Sequence, residues 1–240
     1  MDVLKSILKA FGDFLKYKKH LYIKPLFIFT LSVLFIITFV FIVKKYEPNE
    51  SYEPIQMEFE RKTFDLKGQR IVLDPGHGGD DPGAPSIFGV NEAHIVYSIA
   101  TKLQKVLEES GATVVMTRGE NETVDLDSRK MDGDIFISIH SDAFESSEVS
   151  GFTTFYRYEN QIELAETISE SMDKYAFITN RGTQEMGYQV IWQLDYPATL
   201  IELGYLSNSV DDSLLNDPGY QERMVYGIAE GIDNYVNKKK

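Results

Sequence analysis

Histidines at two predicted strand ends are the first residues of this chain that could do chemistry. His77 stands between glycines in IVLDPGHGGDDPGA, directly after an apolar run, and His140 ends the run DIFISIH. A histidine in such a place is either a hydrogen-bonded turn residue or a ligand for a metal ion. The glycines on both sides of His77 favour a close approach of a ligand to the backbone.

Two glutamates are candidate partners for these histidines. Glu202 is the one charged residue in the apolar run ATLIEL, where an ionised carboxylate is costly unless it pairs with a cation or binds a metal. An arginine such as Arg118 or Arg129 could pair with it without any functional role. Glu92 begins a predicted helix, where the helix dipole stabilises a carboxylate, so its position alone does not require a function.

These residue types fit a metal centre built from imidazole and carboxylate ligands. A catalytic zinc ion usually binds three protein side chains and leaves one position for water, and two histidines with one glutamate supply that number. The chain has no cysteine, which excludes thiolate ligands, disulfides and a cysteine nucleophile. No His-Glu-x-x-His helix is present. His94 follows Glu92 by two residues, so the two side chains point to different sides of one helix and His94 is left out.

Other catalytic motifs are absent from the sequence. The stretch around His77 lacks the Gly-Lys-Ser/Thr ending of a phosphate-binding loop, and no Gly-x-Ser-x-Gly nucleophile motif occurs. Asp80 and Asp81 suggest calcium, but the residues after them do not make a ligand loop. Metal-dependent chemistry is the interpretation that the residue types favour.

Alternating strands and helices must position these side chains after Gly68. The predicted strands are RIVLD, TVVMT, DIFISIH, GFTTFYRY, YQVIW and ATLIEL, and the predicted helices span 92–110, 161–175 and 222–235. This alternation predicts one α/β domain with a mostly parallel sheet covered by helices. Sites in such folds lie beyond the carboxyl ends of the strands, where His77, His140 and Glu202 fall.

The charge of the chain is divided unevenly along its length. Residues 1–45 hold eight Lys and two Asp, a net charge of +6. The other 195 residues hold 16 Lys and Arg against 35 Asp and Glu, a net charge of −19. Nucleic-acid binding needs a basic surface, so this acidic part argues against nucleic acid as a partner.

An apolar segment separates the basic and acidic parts. Residues 25–43 carry no charge over 19 positions, and a helix of that length nearly spans a hydrocarbon core of roughly 30 Å. A cleaved signal peptide would have a shorter apolar core followed by small residues. We expect a single-pass anchor in the lipid bilayer over 21–45, with a cytoplasmic N-terminus because lysines precede the span. Residues 1–20 then form a cytoplasmic amphipathic segment, and 46–67 form an extracellular linker to a catalytic domain over 68–240.

Four blocks of the sequence resemble the zinc-dependent N-acetylmuramoyl-L-alanine amidases of the type-3 amidase family. They are IVLDPGHGGDDPGA, NEAHIVYSIATKLQKVLEESGATVVMTR, FISIHSDAF and PATLIELGYLSN, in the family's order and spacing. The likeness covers about residues 68–240, and membrane-tethered members from Gram-positive bacteria look most similar.

The resemblance implies a site, a fold and a reaction. His77, Glu92 and His140 would bind zinc. Glu202 would be the catalytic carboxylate, on a twisted sheet flanked by helices. The implied reaction is hydrolysis of the amide between N-acetylmuramic acid and the L-alanine of peptidoglycan stem peptides.

Further expectations concern residues around the site and proteins around the chain. Asp74 and Asp142 are candidates to orient the ligand imidazoles by accepting hydrogen bonds from them. A membrane protein that activates the enzyme is an expected partner of the anchor and the amphipathic segment. The alternatives are an inactive amidase-fold module that binds peptidoglycan or has a regulatory role, and a metal hydrolase that acts on another wall amide.

Overall fold

The computed structural model describes residues 5–10, 12–13, 16–17, 32–41 and 59–238. The chain divides into two compact units, Met1–Glu53 and Pro54–Lys240. The first unit is helical wherever it is described. The second unit contains the sheet and the helices around it.

The predicted anchor over 21–45 is described only in part. Residues 32–41 are helical and exposed, and the rest of that segment lies outside the described residues. Of the helices that are described, none has both the length and the apolar character needed to cross a membrane.

Six strands form one sheet in the second unit. They are β1 (Arg70–Pro75), β2 (Thr113–Met116), β3 (Ile135–Asp142), β4 (Phe152–Tyr156), β5 (Asn180–Glu185) and β6 (Ala198–Tyr205). Their order is β2-β1-β3-β6-β4-β5, and each neighbouring pair is parallel except β4 with β6. The predicted α/β fold with a mostly parallel sheet is therefore confirmed.

Helices cover both faces of this sheet, but unequally. They are α1 (Glu92–Glu109), α2 (Glu159–Asp173), α3 (Gln189–Trp192), α4 (Ser209–Leu215) and α5 (Pro218–Lys238), with a 3-10 helix at Leu126–Arg129. Apolar residues of α1, α2 and α5 form one core with Ile71 and Leu73 of β1. Val72 points to the other face, where it packs in a smaller core with Val190 and Ile191 of α3.

Two elements on the β4 side of the sheet differ from the prediction. The stretch YQVIW is not a strand, because Ile191 and Trp192 donate their backbone N–H groups to the Tyr188 carbonyl and close a helical turn. A short apolar run fits either type of element. The sheet also contains one strand that the sequence did not predict, β5. It lies at an edge of the sheet and is buried only in part, which allows its sequence NRGTQE to be polar.

Residues 59–67, at the end of the predicted linker, contact the helices of the second unit. The Phe59 ring lies edge-on to the Tyr175 ring, with 5.8 Å between the centroids. Lys62 Nζ donates to Glu230 Oε2 on α5 at 2.8 Å. This stretch is therefore packed on the folded unit.

Candidate metal centre

Parallel strands bring the predicted site residues to one edge of the sheet. His77 follows the carboxyl end of β1, and His140 lies near the carboxyl end of β3, the neighbouring parallel strand. Glu92 is the first residue of α1. One potential ligand atom from each of the three lies within 4.8 Å of the other two, a group that could hold a metal ion.

The carboxylate of Glu92 lies between the two imidazoles. Its Oε2 is 3.0 Å from His77 Nε2, and its Oε1 is 3.1 Å from His140 Nδ1. The backbone amides of Ala84 and Ser141 donate to these oxygens at 2.9 and 3.0 Å. Glu92 is thus fixed in place by the backbone, and each of its oxygens faces one histidine.

The charges of this group are coupled. Burial alone would raise the pKa of Glu92, but hydrogen bonds from His140 and His77 outweigh burial and hold that pKa far below its ordinary value. Burial alone would lower the pKa of His77, yet its contacts with Glu92 and Asp81 raise that pKa. The Glu92 carboxylate is therefore ionised and paired with the imidazoles on both sides of it.

The spacing and the chemistry of the donors suit a small divalent ion. Two ligand atoms of a tetrahedral zinc ion lie about 3.4 Å apart, given bond lengths of roughly 2.1 Å. The 3.0 Å between His77 Nε2 and Glu92 Oε2 is close to that spacing. Nitrogen and oxygen donors without sulfur match the ligand sets of catalytic zinc sites.

Glycines leave the room that these ligands occupy. A Cβ on Gly76 would lie 2.1 Å from a ring carbon of His140. A Cβ on Gly83 would lie 2.6 Å from Glu92 Oε2, and the φ of Gly83 is +67°. Gly76 and Gly83 are therefore required by the candidate site itself.

Glu202 lies on β6, the strand next to β3, beside the three residues that could hold a metal ion. It is paired in register with His140, so the two side chains are on the same face of the sheet. The residue is 8% exposed, and within the described residues its Oε2 has no hydrogen-bonding partner. Burial, followed by the charges of Glu92 and Asp142, raises the pKa of Glu202 well above its ordinary value.

The arginines considered as partners of Glu202 have another role. Arg118 donates to the carbonyls of Pro75 and Gly76, each at 2.8 Å. Arg129 donates to the carbonyl of His77 at 2.7 Å. Both guanidinium groups are buried under the loop that carries His77. They bind the carbonyl groups of that loop, so neither needs Glu202 as a partner.

Asp74 and Asp142 have contacts other than the expected ones. Asp74 is fully buried and accepts from Arg129, Thr117 and Ser138 at 2.6 to 2.8 Å. Asp142 accepts from the amide of Ala143 at 2.7 Å. Among the described residues, neither carboxylate contacts an imidazole, and Asp74 lies below the loop in the core.

Asp81 is the residue near the site that the sequence interpretation missed. Its Oδ2 is 2.8 Å from His77 Nδ1. The four-residue spacing between His77 and Asp81 was visible in the sequence, but only the loop geometry turns it into a contact. His94 is exposed on the side of α1 away from Glu92, as expected from their spacing.

The fold and the site together define an α/β domain with an imidazole–carboxylate site suited to a metal ion. The sequence profile of the N-acetylmuramoyl-L-alanine amidase family matches residues 71–234, and the chain belongs to this type-3 amidase family.

Individual relatives agree with this family membership. The probable cell wall amidase LytH of Staphylococcus epidermidis is 44% identical over 174 residues, which make up 72% of this chain and 60% of that protein. The chain thus matches less than two thirds of the length of that curated relative.

Solved structures of amidases share the fold. The catalytic domain of CwlV from Bacillus (Paenibacillus) polymyxa has a TM-score of 0.68 and 30% identity, covering 70% of this chain and 98% of that one. The CwlD amidase of Clostridioides difficile, solved in complex with the GerS lipoprotein, has a TM-score of 0.66 and 31% identity, covering 71% and 99%.

Proposed function

We propose that this protein is a zinc-dependent N-acetylmuramoyl-L-alanine amidase. It hydrolyses the amide between the lactyl group of N-acetylmuramic acid and the L-alanine of the peptidoglycan stem peptide. The observation that carries the proposal is a metal-ligand group placed beside the buried Oε2 of Glu202, which has no hydrogen-bonding partner in the described part of the chain. Family membership and the names of the relatives support the same reaction.

The proposed metal ligands are His77, Glu92 and His140. Zinc is the ion that suits two imidazoles and one carboxylate in a site without thiolates. A bound zinc ion would lower the pKa of water toward about 7 and polarise the scissile carbonyl.

Glu202 moves the proton in this proposal. Its Oε2 takes a proton from the water as the water oxygen bonds to the lactyl carbonyl carbon, and it gives that proton to the amide nitrogen. The C–N bond then breaks, which leaves a lactyl carboxylate on the glycan and a stem peptide with a free L-alanine amine. Burial raises the pKa of Glu202, which makes its carboxylate a stronger base when it is ionised.

The proposed location is the outer face of a cell membrane. A single-pass anchor over 21–45 with a cytoplasmic N-terminus places residues 46–240 outside, as the lysine bias requires. The linker begins at residue 46, and residues 59–67 are packed on the folded unit, so the anchored domain cuts glycan close to the membrane. The complex of CwlD with a lipoprotein supports a membrane-associated activator as a partner.

Digestion of purified peptidoglycan by the zinc-loaded full chain tests the proposed reaction. Wild type and Glu166→Gln, a control on an exposed face of α2, should release stem peptides with a free L-alanine amine. Glu202→Gln should retain one zinc ion per chain and lose roughly 10²- to 10⁴-fold of the rate, the usual contribution of a general acid–base group. Mass spectrometry identifies the products.

The other outcomes separate the alternatives. Release of only a terminal amino acid would indicate a carboxypeptidase, and binding without release would indicate an inactive module. Equal rates in wild type and Glu202→Gln would refute the role of Glu202.

The anchor is tested in a separate experiment on cells. The full chain should stay in the membrane fraction after a high-salt wash. A protease added outside the cells should cut it only at sites that follow residue 45 in the sequence. Recovery of the intact chain in the soluble fraction would refute the anchor.

A further inference from the structure

The backbone of His77 is held in an unusual conformation. Its φ is 60°, and no other non-glycine residue in the described chain has a positive φ. This region is unfavourable for side chains with a Cβ, so surrounding contacts must hold the residue there. A strained residue at a ligand position indicates that the direction of its imidazole is controlled.

Contacts on both sides of His77 fix its backbone. Arg129 Nη2 donates to the His77 carbonyl at 2.7 Å. After His77, the chain turns back on itself, with Gly78 and Asp81 exchanging backbone hydrogen bonds of 2.8 and 3.1 Å. This turn brings the side chain of Asp81 back to the ring of His77.

The carboxylate of Asp81 then fixes the ring. Its Oδ2 lies 2.8 Å from His77 Nδ1, and its Oδ1 accepts from the amide of Gly83 at 3.0 Å. Because Nδ1 is directed at Asp81, Nε2 is the nitrogen left to face Glu92 and a metal ion. The adjacent Asp80 contacts Thr123 and not the ring of His77. Its backbone amide donates to Thr123 Oγ1 at 3.0 Å, and its Oδ2 accepts from the same hydroxyl at 3.4 Å.

We propose that Asp81 is a positioning residue of the metal centre, which orients the His77 imidazole and directs its Nε2 to the metal. This inference rests on the proposed zinc site and assigns to Asp81 the role expected for Asp74 or Asp142. The side chain of Asp81 is 62% exposed, so its contribution lies in orienting the ring rather than in the strength of a surface ion pair.

Zinc affinity of the full chain, measured by competition with a chromophoric chelator, tests the proposal. Asp81→Ala should weaken zinc binding about 10- to 100-fold, the usual effect of losing such a carboxylate. Asp81→Asn keeps an oxygen that can accept from Nδ1–H, so it should recover most of this affinity. Asp80→Ala is the matched control and should bind zinc as wild type does.

A spectroscopic measurement distinguishes positioning from a general structural effect. With cobalt in place of zinc, the visible absorption bands of Asp81→Ala should differ from those of wild type. The bands of Asp80→Ala should match those of wild type. Unchanged zinc affinity in Asp81→Ala, or an equal loss in Asp80→Ala, would overturn the role of Asp81 while leaving the proposed enzyme intact. A wild-type chain that binds no zinc would overturn both proposals, so the two failures are distinguishable.

Discussion

At the scale of single residues, Gly76 determines whether His140 can occupy the candidate metal centre. The ring of His140 fills the space in which any side chain at position 76 would lie, with 2.1 Å between a Cβ and the nearest ring carbon. No contact of that kind is tolerated, so a larger residue must displace the ring. The absence of a side chain at position 76 is therefore a requirement of the observed His140 position.

The substitution Gly76→Ala should therefore weaken zinc binding by more than about tenfold, because it displaces a ligand rather than an outer contact. Isothermal titration of the metal-free chain with zinc measures the effect. Gly187→Ala is the control, since a Cβ there meets nothing within 4 Å. Wild-type affinity in Gly76→Ala would mean that His140 does not need its observed position to bind the metal.

At the scale of elements, Glu230 joins the segment before β1 to two helices. Lys62, from that segment, and Lys174, at the end of α2, donate to the two oxygens of Glu230 at 2.8 and 2.7 Å. The hydroxyl of Tyr175 donates to Glu230 as well, at 2.7 Å. Burial alone would raise the pKa of Glu230, but these hydrogen bonds outweigh burial and lower the pKa to about 2.

This shift predicts a pH dependence of stability. The carboxylate has an ordinary pKa of 4.5 and a lower one when folded, so its stabilising effect is present above pH 4.5 and is lost as the pH falls toward 2. The contribution at pH 7 is on the order of 2–3 kcal/mol. Glu230→Gln should be less stable than wild type at pH 7, and the difference should shrink by more than half at pH 3.

Urea denaturation at the two pH values measures the free energies of unfolding. Glu222→Gln is the comparison, because Glu222 also pairs with the segment before β1, through Arg61, but in an exposed ion pair. An exposed pair is worth about 0–1 kcal/mol, so this variant should change little at either pH. A difference between wild type and Glu230→Gln that does not depend on pH would contradict the lowered pKa.

At the scale of the whole molecule, the candidate metal centre connects parts that are distant in sequence. Its residues come from the loop after β1, from the start of α1 and from the end of β3. An ion bound by all three would favour the folded state, because the unfolded chain does not hold these residues together.

Zinc should therefore raise the melting temperature of the chain. At a free concentration 1,000 times the dissociation constant, the stabilisation is roughly 4 kcal/mol, which corresponds to about 8–16 °C for a domain of this size. Calorimetry with zinc and with a chelator measures the shift. His140→Ala, which removes one ligand, should lose most of it, and an equal shift in that variant would mean that zinc stabilises the chain at another place.

Much of the architecture was predictable from local patterns. Apolar runs at strand spacing identified β1, β2, β3, β4 and β6, and apolar residues at helical spacing identified the three long helices. These signals are strong because burial on one or both faces constrains every position along the element. The edge strand β5 is polar and only partly buried, so it carries no such signal. The helix α3 is buried, but its apolar run is too short to distinguish a helix from a strand, and the sequence alone identified neither element correctly.

The sequence by itself placed His77, His140 and Glu202 at predicted strand ends and Glu92 at a predicted helix start, and the family resemblance implied their roles. Only the tertiary structure decided their partners. It turned Arg118 and Arg129 from candidate partners of Glu202 into supports of the His77 loop, and it placed Asp81 rather than Asp74 at the imidazole. The physical reason is that periodicity reports burial along one element, whereas hydrogen bonds across a site depend on loop turns and strand register between elements.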